Sequence, residues 1–166
     1  MLISLIGMPG SGKSSVGRLV ADALGCPLID LDECIEKAAG KPIPEIFAES
    51  GEAGFRKLEA EQLRKTLARY GGQTAVLSPG GGTVTLPGAP ALLREKSLCI
   101  WLRASLETLQ AHLQGDASRP LLSQPGSLQA LLEARESLYA EAAEVILDTD
   151  GLSPEEIADE IIISVL

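Results

Sequence analysis

The chain has 166 residues, of which 45% are apolar and 22% charged, a balance typical of a folded domain and not of a disordered chain. Its formal charge of −9 argues against non-specific binding to nucleic acid or to an anionic membrane surface. No run of about 18 apolar residues occurs, so no transmembrane helix is predicted.

Short apolar runs alternate with longer helical patterns along the chain, which is typical of successive βαβ units. We therefore expect a single three-layer α/β/α domain over residues 1–166, with a five-stranded parallel sheet covered on both faces. The predicted strands cover residues 2–6, 27–30, 74–78, 97–102 and 144–148. The predicted helices cover residues 13–24, 33–39, 43–49, 52–69, 105–113, 127–143 and 154–165.

The N-terminal apolar segment is predicted to be a buried strand, because it lacks the basic flank and cleavage site of a signal peptide. Cys26, Cys34 and Cys99 lie far apart and form no Cys-x-x-Cys pair. This spacing argues against a disulfide framework or a zinc site and favours a cytoplasmic location.

A phosphate-binding loop follows the first predicted strand. The sequence GMPGSGKS at residues 7–14 matches G-x-x-x-x-G-K-[ST] in full, between a strand and a helix. The backbone N–H groups of such a loop surround phosphates, Lys13 reaches the β- and γ-phosphates, and the Ser14 hydroxyl binds Mg²⁺. The alternative, a glycine-rich turn that only starts a helix, is disfavoured by the complete motif.

Two absences narrow the class of P-loop protein. The chain contains no asparagine, so the Asn-Lys-x-Asp guanine-binding motif of GTPases is missing. The third predicted strand ends in Ser-Pro-Gly-Gly-Gly and not in the acidic residue typical of ATPase motors. A kinase for a small metabolite is the class that remains.

An acidic pair and a triple glycine follow the second and third predicted strands. Asp30 and Asp32 are two residues apart, so on a strand both carboxylates would point toward the phosphate loop. One carboxylate would support Mg²⁺ through water, and the other would orient or deprotonate an acceptor hydroxyl. The equal alternative is that Asp32 caps the next helix. Glycines 80–82 indicate either a ligand close to the backbone or a flexible loop.

Two arginines interrupt apolar helical faces. Arg135 falls within the leucine stripe of the helix predicted at 127–143, and Arg56 shares a face with leucines of the helix at 52–69. Glu59 and Glu52 are placed to orient Arg56. Arginines in such positions indicate a carboxylate or phosphate ligand, and a structural salt bridge is the equal alternative.

The least regular stretch, residues 115–126, has the length of a functional lid. Arg119 within it would close over the phosphates and offset transition-state charge, unless it is a solvated loop arginine. His112, the single histidine, precedes this stretch and is interpreted as structural or solvated.

The ordered motifs GMPGSGKSS, DLD, GEAGFR, SPGGGTV, RPLL and RESLY resemble the shikimate kinase family over nearly the whole chain. The resemblance implies strand order 2-3-1-4-5, a substrate-binding region at about residues 32–61 and a lid at about 112–126. It implies that the γ-phosphoryl group of ATP is transferred to the 3-hydroxyl of shikimate. The implied shikimate ligands are Asp32, Arg56, Gly81 and Arg135, with the two arginines on the carboxylate.

The same resemblance assigns the ATP and metal positions. Lys13, Asp32 and Arg119 would be catalytic, with Mg²⁺ at Ser14 and, through its outer shell, Asp30. ATP would contact Gly10, Ser11, Gly12, Lys13, Ser14, Ser15 and Arg119. The chain departs from the family at His112, where an arginine is common.

A cytoplasmic monomer without nucleic-acid or membrane partners is expected. The alternatives are another small-metabolite kinase, such as a gluconate or nucleotide kinase, or a catalytically silent nucleotide-binding module.

Overall fold

A five-stranded parallel sheet forms the centre of the fold. The computed structural model describes residues 1–114 and 126–166. The sheet order is β2-β3-β1-β4-β5, and every neighbouring pair is parallel. This confirms the predicted fold class and strand order. The strands are β1 (Leu2–Ile6), β2 (Leu28–Asp30), β3 (Ala75–Ser78), β4 (Leu98–Arg103) and β5 (Val145–Asp148).

Helices cover both faces of the sheet. Ile3 and Leu5 of β1 pack with apolar residues of the first and last helices, whereas Leu2 and Ile6 face the other helical layer. A sheet buried on both faces explains why β1 is an uninterrupted apolar run. The helices are α1 (Lys13–Leu24), α2 (Leu31–Ala39), α3 (Ile43–Tyr70), α4 (Ala89–Lys96), α5 (Leu106–Leu113), α6 (Ser127–Ala142) and α7 (Pro154–Val165). None of the described helices is long and apolar enough to span a membrane.

Apart from shifts of one residue at the ends of elements, four local features differ from the prediction. The helix α4 and a 3-10 turn at Thr83–Thr85 were not predicted. Three residues are too few to show an apolar period, and Gly88 and Pro90 at the start of α4 are typical of a turn. The two helices predicted at 43–49 and 52–69 form the single element α3, broken at Gly51 with φ 68° and ψ −175°. The helix α2 begins two residues earlier than predicted, directly after β2.

The parallel sheet places three loops at one edge. The carboxyl ends of β2, β3 and β1 are neighbours, so the segments that follow them lie side by side. These segments are the phosphate loop (residues 7–15), the acidic pair (Asp30 and Asp32) and the triple-glycine loop (residues 80–82). Open α/β sheets bind ligands at this edge.

Candidate active site

The phosphate loop joins β1 directly to α1. Gly12 is the N-cap of α1 with φ 87°, a backbone conformation that residues with a Cβ rarely adopt. The Nζ of Lys13 donates hydrogen bonds to the carbonyl oxygens of Gly7 at 2.6 Å and Met8 at 3.0 Å. The Lys13 ammonium and the positive end of α1 therefore lie at the same loop, which is an arrangement suited to phosphate.

The two aspartates of the acidic pair occupy different positions at the start of α2. Oδ1 of Asp30 accepts hydrogen bonds from the N–H of Asp32 at 2.9 Å and of Glu33 at 3.4 Å. Asp30 is thus the N-cap of α2, and the alternative that Asp32 caps this helix is wrong. The argument from a shared strand face also fails, because β2 ends at Asp30 and Asp32 lies in the first turn of α2.

Both carboxylates nevertheless face one cavity. It has a volume of about 260 Å³ and opens between the phosphate loop and the triple-glycine loop. Its lining residues include six of the predicted site residues. They are Pro9, Lys13, Ser14, Asp30, Asp32, Ser78, Pro79, Gly80, Gly81, Gly82 and Arg135. A second cavity of about 370 Å³ shares Ser14 and Asp30 with it and is also lined by Ser15.

The ends of two arginine side chains meet at the triple-glycine loop. A Cβ placed on Gly82 would lie 2.9 Å from Nη2 of Arg56 and 3.1 Å from Nη2 of Arg135. A Cβ on Gly81 would lie 3.3 Å from Nη1 of Arg135. Glycine is needed here because the guanidinium groups occupy the space that a side chain would fill. We call Arg56 and Arg135 together the arginine pair.

The charges of the two arginines are neutralised differently. Nη1 of Arg56 donates to Oε1 of Glu59 at 2.5 Å, and its Nε lies 3.7 Å from Oε1 of Glu52. Both predicted partners of Arg56 are therefore confirmed. Arg135 forms no salt bridge with any residue in 1–114 or 126–166. The alternative of a structural salt bridge therefore holds for Arg56. It does not hold for Arg135 among the described residues.

Two contacts at this site were not assigned from the sequence. The hydroxyl of Thr83 donates to Oε2 of Glu59 at 2.9 Å, and the hydroxyl of Tyr139 donates to the carbonyl oxygen of Gly81 at 2.8 Å. Tyr139 follows Arg135 by four residues, so helical spacing alone was enough to place it on the same face. Thr83 lies within the SPGGGTV motif, but no role was assigned to it.

The remaining predicted residues lie at or near the phosphate loop. Gly10, Ser11 and Gly12 form its turn, and His112 at the end of α5 donates from Nδ1 to the carbonyl oxygen of Gly10 at 2.7 Å. Arg119 and most of the predicted lid lie outside the described residues.

The oxygen donors at the cavity fit a magnesium ion. The Ser14 hydroxyl and the Asp30 and Asp32 carboxylates are hard ligands that line one space beside Lys13. Mg²⁺ is usually held by one or two carboxylates together with substrate phosphates and water. Within the described residues no three His, Cys, Asp or Glu side chains gather as a metal cluster. The oxygen donors that line the cavity are of the kind that holds Mg²⁺ together with phosphate and water.

Comparison with known sequences gives one consistent result. A family model described as shikimate kinase matches residues 9–166. A shikimate kinase of Symbiobacterium thermophilum is 44% identical, over 97% of this chain and 94% of its own length. A shikimate kinase of Geobacter sulfurreducens is also 44% identical, over 96% of this chain and 87% of its own length.

Solved structures agree with this result. The shikimate kinase of Acinetobacter baumannii in complex with shikimate is 32% identical and superposes with a TM-score of 0.88, covering 99% of this chain and 92% of that one. The shikimate kinase of Aquifex aeolicus is 32% identical with a TM-score of 0.84, covering 99% and 96%.

Proposed function

The chain belongs to the shikimate kinase family, and from this premise we propose that the cavity beside the phosphate loop is its active site. The reaction is transfer of the γ-phosphoryl group of ATP to the 3-hydroxyl of shikimate, a step in the biosynthesis of chorismate and the aromatic amino acids. The phosphate loop supplies the donor end of the cavity, and the triple-glycine loop with the arginine pair supplies the acceptor end.

The observation that carries this assignment is the meeting of Arg56 and Arg135 at Gly82. Two guanidinium groups held at one point offer paired N–H donors to a single carboxylate, which is the group that shikimate presents. In a protein with a formal charge of −9 the overall field repels such an anion, so local cations must bind it. Gly81, beside which the Arg135 guanidinium lies, and Asp32 complete the proposed shikimate ligands.

At the donor end, the backbone of residues 10–15 would bind the ATP phosphates, with Lys13 on the β- and γ-phosphates. Ser14 would hold Mg²⁺, and Asp30 would support it through water. When bound, Mg²⁺ neutralises charge on the phosphates. Arg119 is assigned to the phosphates by the resemblance of RPLL to the family motif.

Asp32 would act between the two ends. Its Oδ1 lies 3.3 Å from where a Cβ of Gly80 would stand, so its carboxylate adjoins the triple-glycine loop. From there it would orient the shikimate hydroxyl toward ATP and accept its proton as the phosphoryl group is transferred. Orientation and charge neutralisation contribute most to the rate of phosphoryl transfer, since there is little covalent chemistry for the protein to do.

One chain supplies both ends of the cavity, so no second copy is needed to complete it. We therefore propose a monomer. A cytoplasmic location is proposed because ATP is a co-substrate.

The test is ADP release by the purified protein with ATP and Mg²⁺, offered shikimate, gluconate or nucleoside monophosphates separately. Activity with shikimate alone is expected. Lys13→Ala is expected to remove it, whereas Lys65→Ala, an exposed lysine paired with Glu61, is the control and should leave it intact. Turnover of gluconate or a nucleotide without turnover of shikimate would contradict the assignment.

A further inference from the structure

We propose that the Tyr139 hydroxyl is a positioning group for shikimate binding, because it fixes the Gly81 peptide relative to Arg135. The inference rests on the proposed function, since it concerns the acceptor end of the same cavity. It gives a role to the tyrosine of the RESLY motif.

The three carbonyl groups of the triple-glycine loop are held in different ways. The Gly80 oxygen accepts a hydrogen bond from the Thr83 N–H at 3.1 Å. The Gly82 oxygen accepts from the Thr85 N–H at 3.0 Å and from the Thr85 hydroxyl at 2.6 Å. These bonds belong to the local 3-10 turn. The Gly81 oxygen is instead held from another element, by the Tyr139 hydroxyl of α6 at 2.8 Å.

Glycine makes this external bond important. Residues 80–82 have no side chains to restrict their backbone, so each peptide plane turns easily unless a hydrogen bond fixes it. The middle peptide is also the one against which Arg135 lies, with Nη1 3.3 Å from where a Cβ of Gly81 would stand. The Tyr139 hydroxyl therefore sets the orientation of a backbone segment that directly adjoins a substrate arginine.

Tyr139 is itself firmly placed. Its side chain is 1% exposed, its ring lies 5.6 Å from the Trp101 ring between centroids, and its hydroxyl lies 3.9 Å from Sδ of Met8 at the phosphate loop. Burial raises the pKa of the phenol above its ordinary value, against the smaller opposing effect of the adjacent Arg135. The hydroxyl thus keeps its proton at neutral pH and donates a hydrogen bond to the Gly81 carbonyl oxygen.

Arg135 and Tyr139 are one helical turn apart on α6. The hydroxyl adjoins the Arg135 guanidinium on one side and bonds Gly81 on the other. Removing it would release the Gly81 peptide while the ring still fills its place in the core. We expect shikimate affinity to fall while ATP binding, which depends on the phosphate loop, is kept.

The experiment compares Tyr139→Phe with Tyr70→Phe in the full chain. Tyr70, the other tyrosine, lies at the end of α3 against Arg69 and lines neither cavity of the site. Tyr139→Phe is expected to raise the KM for shikimate about tenfold, the effect of losing one buried hydrogen bond. The KM for ATP should change less than about twofold by the same reasoning. Tyr70→Phe should match the unchanged protein in both.

A second measurement reads binding without turnover. Trp101 is the single tryptophan and lies against the Tyr139 ring, so shikimate should change its fluorescence in the unchanged protein. The midpoint of that titration should move about tenfold in Tyr139→Phe. A midpoint that stays the same in Tyr139→Phe would overturn the proposal.

The outcomes separate the two proposals. If the unchanged protein does not phosphorylate shikimate, the proposed function fails. If it does, and Tyr139→Phe lowers only the melting temperature while the KM for shikimate stays the same, Tyr139 is merely structural and the inference alone fails.

Discussion

Glu59 and Thr83 are joined by a buried hydrogen bond that connects α3 to the triple-glycine loop. The Thr83 hydroxyl donates to Oε2 of Glu59 at 2.9 Å, and the other carboxylate oxygen accepts from Arg56 at 2.5 Å. Glu59 is 1% exposed and Thr83 is fully buried. One carboxylate therefore sets the position of Arg56, a proposed shikimate ligand, relative to the triple-glycine loop.

Glu59→Gln is expected to weaken both stability and shikimate binding. The amide keeps one acceptor oxygen but loses the charge that balances Arg56, so the free energy of unfolding should fall by about 1–3 kcal/mol. The KM for shikimate should rise with it. Urea unfolding and steady-state kinetics measure the two effects. Glu52→Gln is the matched control, because Glu52 is 74% exposed and 3.7 Å from Arg56, and it should change little. Equal results for the two variants would remove Glu59 from this role.

Gly82→Ala is expected to damage binding more than folding. The new methyl would meet Nη2 of Arg56 at 2.9 Å and Nη2 of Arg135 at 3.1 Å, and these are flexible ends that move aside at small cost. Displaced guanidinium groups would no longer fit the carboxylate, so we expect the KM for shikimate to rise at least about tenfold. Gly72→Ala is the control, since a Cβ there would meet nothing within 4 Å. A normal KM in Gly82→Ala would show that the arginine pair does not bind substrate in this geometry.

Much of the architecture was predictable because its signals are local. The strand β1 and the helices α1 and α7 begin and end at the predicted residues, since an apolar run, the phosphate-loop motif and Ser153-Pro154 mark these boundaries directly. The sheet order followed from the family resemblance. In contrast, α4 was not predicted, because Gly88 and Pro90 at its start are typical of a turn.

The sequence singled out six of the residues that line the cavity, but it did not predict their contacts. Arg56 and Arg135 were recognised because cations interrupt apolar faces, but their meeting at Gly82 depends on how α3, α6 and the loop pack together. Glycines 80–82 suggested a close approach by a ligand, whereas two of them also make room for the protein's own arginines. Asp30 and not Asp32 caps α2, because β2 ends at Asp30 and the helix begins at the next residue. The ends of helices and strands are defined only to within one or two residues, so the sequence did not distinguish which aspartate caps α2.

Asp32→Asn is expected to reduce kcat at least about a hundredfold, the scale of a lost base or orienting group. Asp30→Asn is the informative partner. Asparagine caps helices as well as aspartate does, so the cap on the N–H groups of Asp32 and Glu33 should survive and stability should be unchanged. Asp30→Asn should instead raise the Mg²⁺ concentration needed for half-maximal rate. Titrating Mg²⁺ for both variants measures this difference, and near-normal turnover in Asp32→Asn would exclude its proposed role.

His112 stands where the family commonly has arginine, and its surroundings define a final prediction. Its Nδ1 donates to the carbonyl oxygen of Gly10 at 2.7 Å, and its exposed side chain leaves room for a longer one. His112→Arg would keep a donor near Gly10 and add a permanent cation beside the phosphate loop. We expect a lower KM for ATP or a higher turnover, with a gain of about twofold to fivefold, the scale of an exposed charge pair.

The matched variant is His112→Gln, which offers an N–H to Gly10 without a charge and should behave like the unchanged protein. If His112→Arg and His112→Gln give the same KM for ATP, a charge at position 112 does not affect ATP binding. In that case, the bond to Gly10 would be its whole contribution, and His112→Ala would then show the larger loss. A gain confined to His112→Arg, with the KM for shikimate unchanged, would mean that charge at position 112 acts on the donor end of the cavity alone.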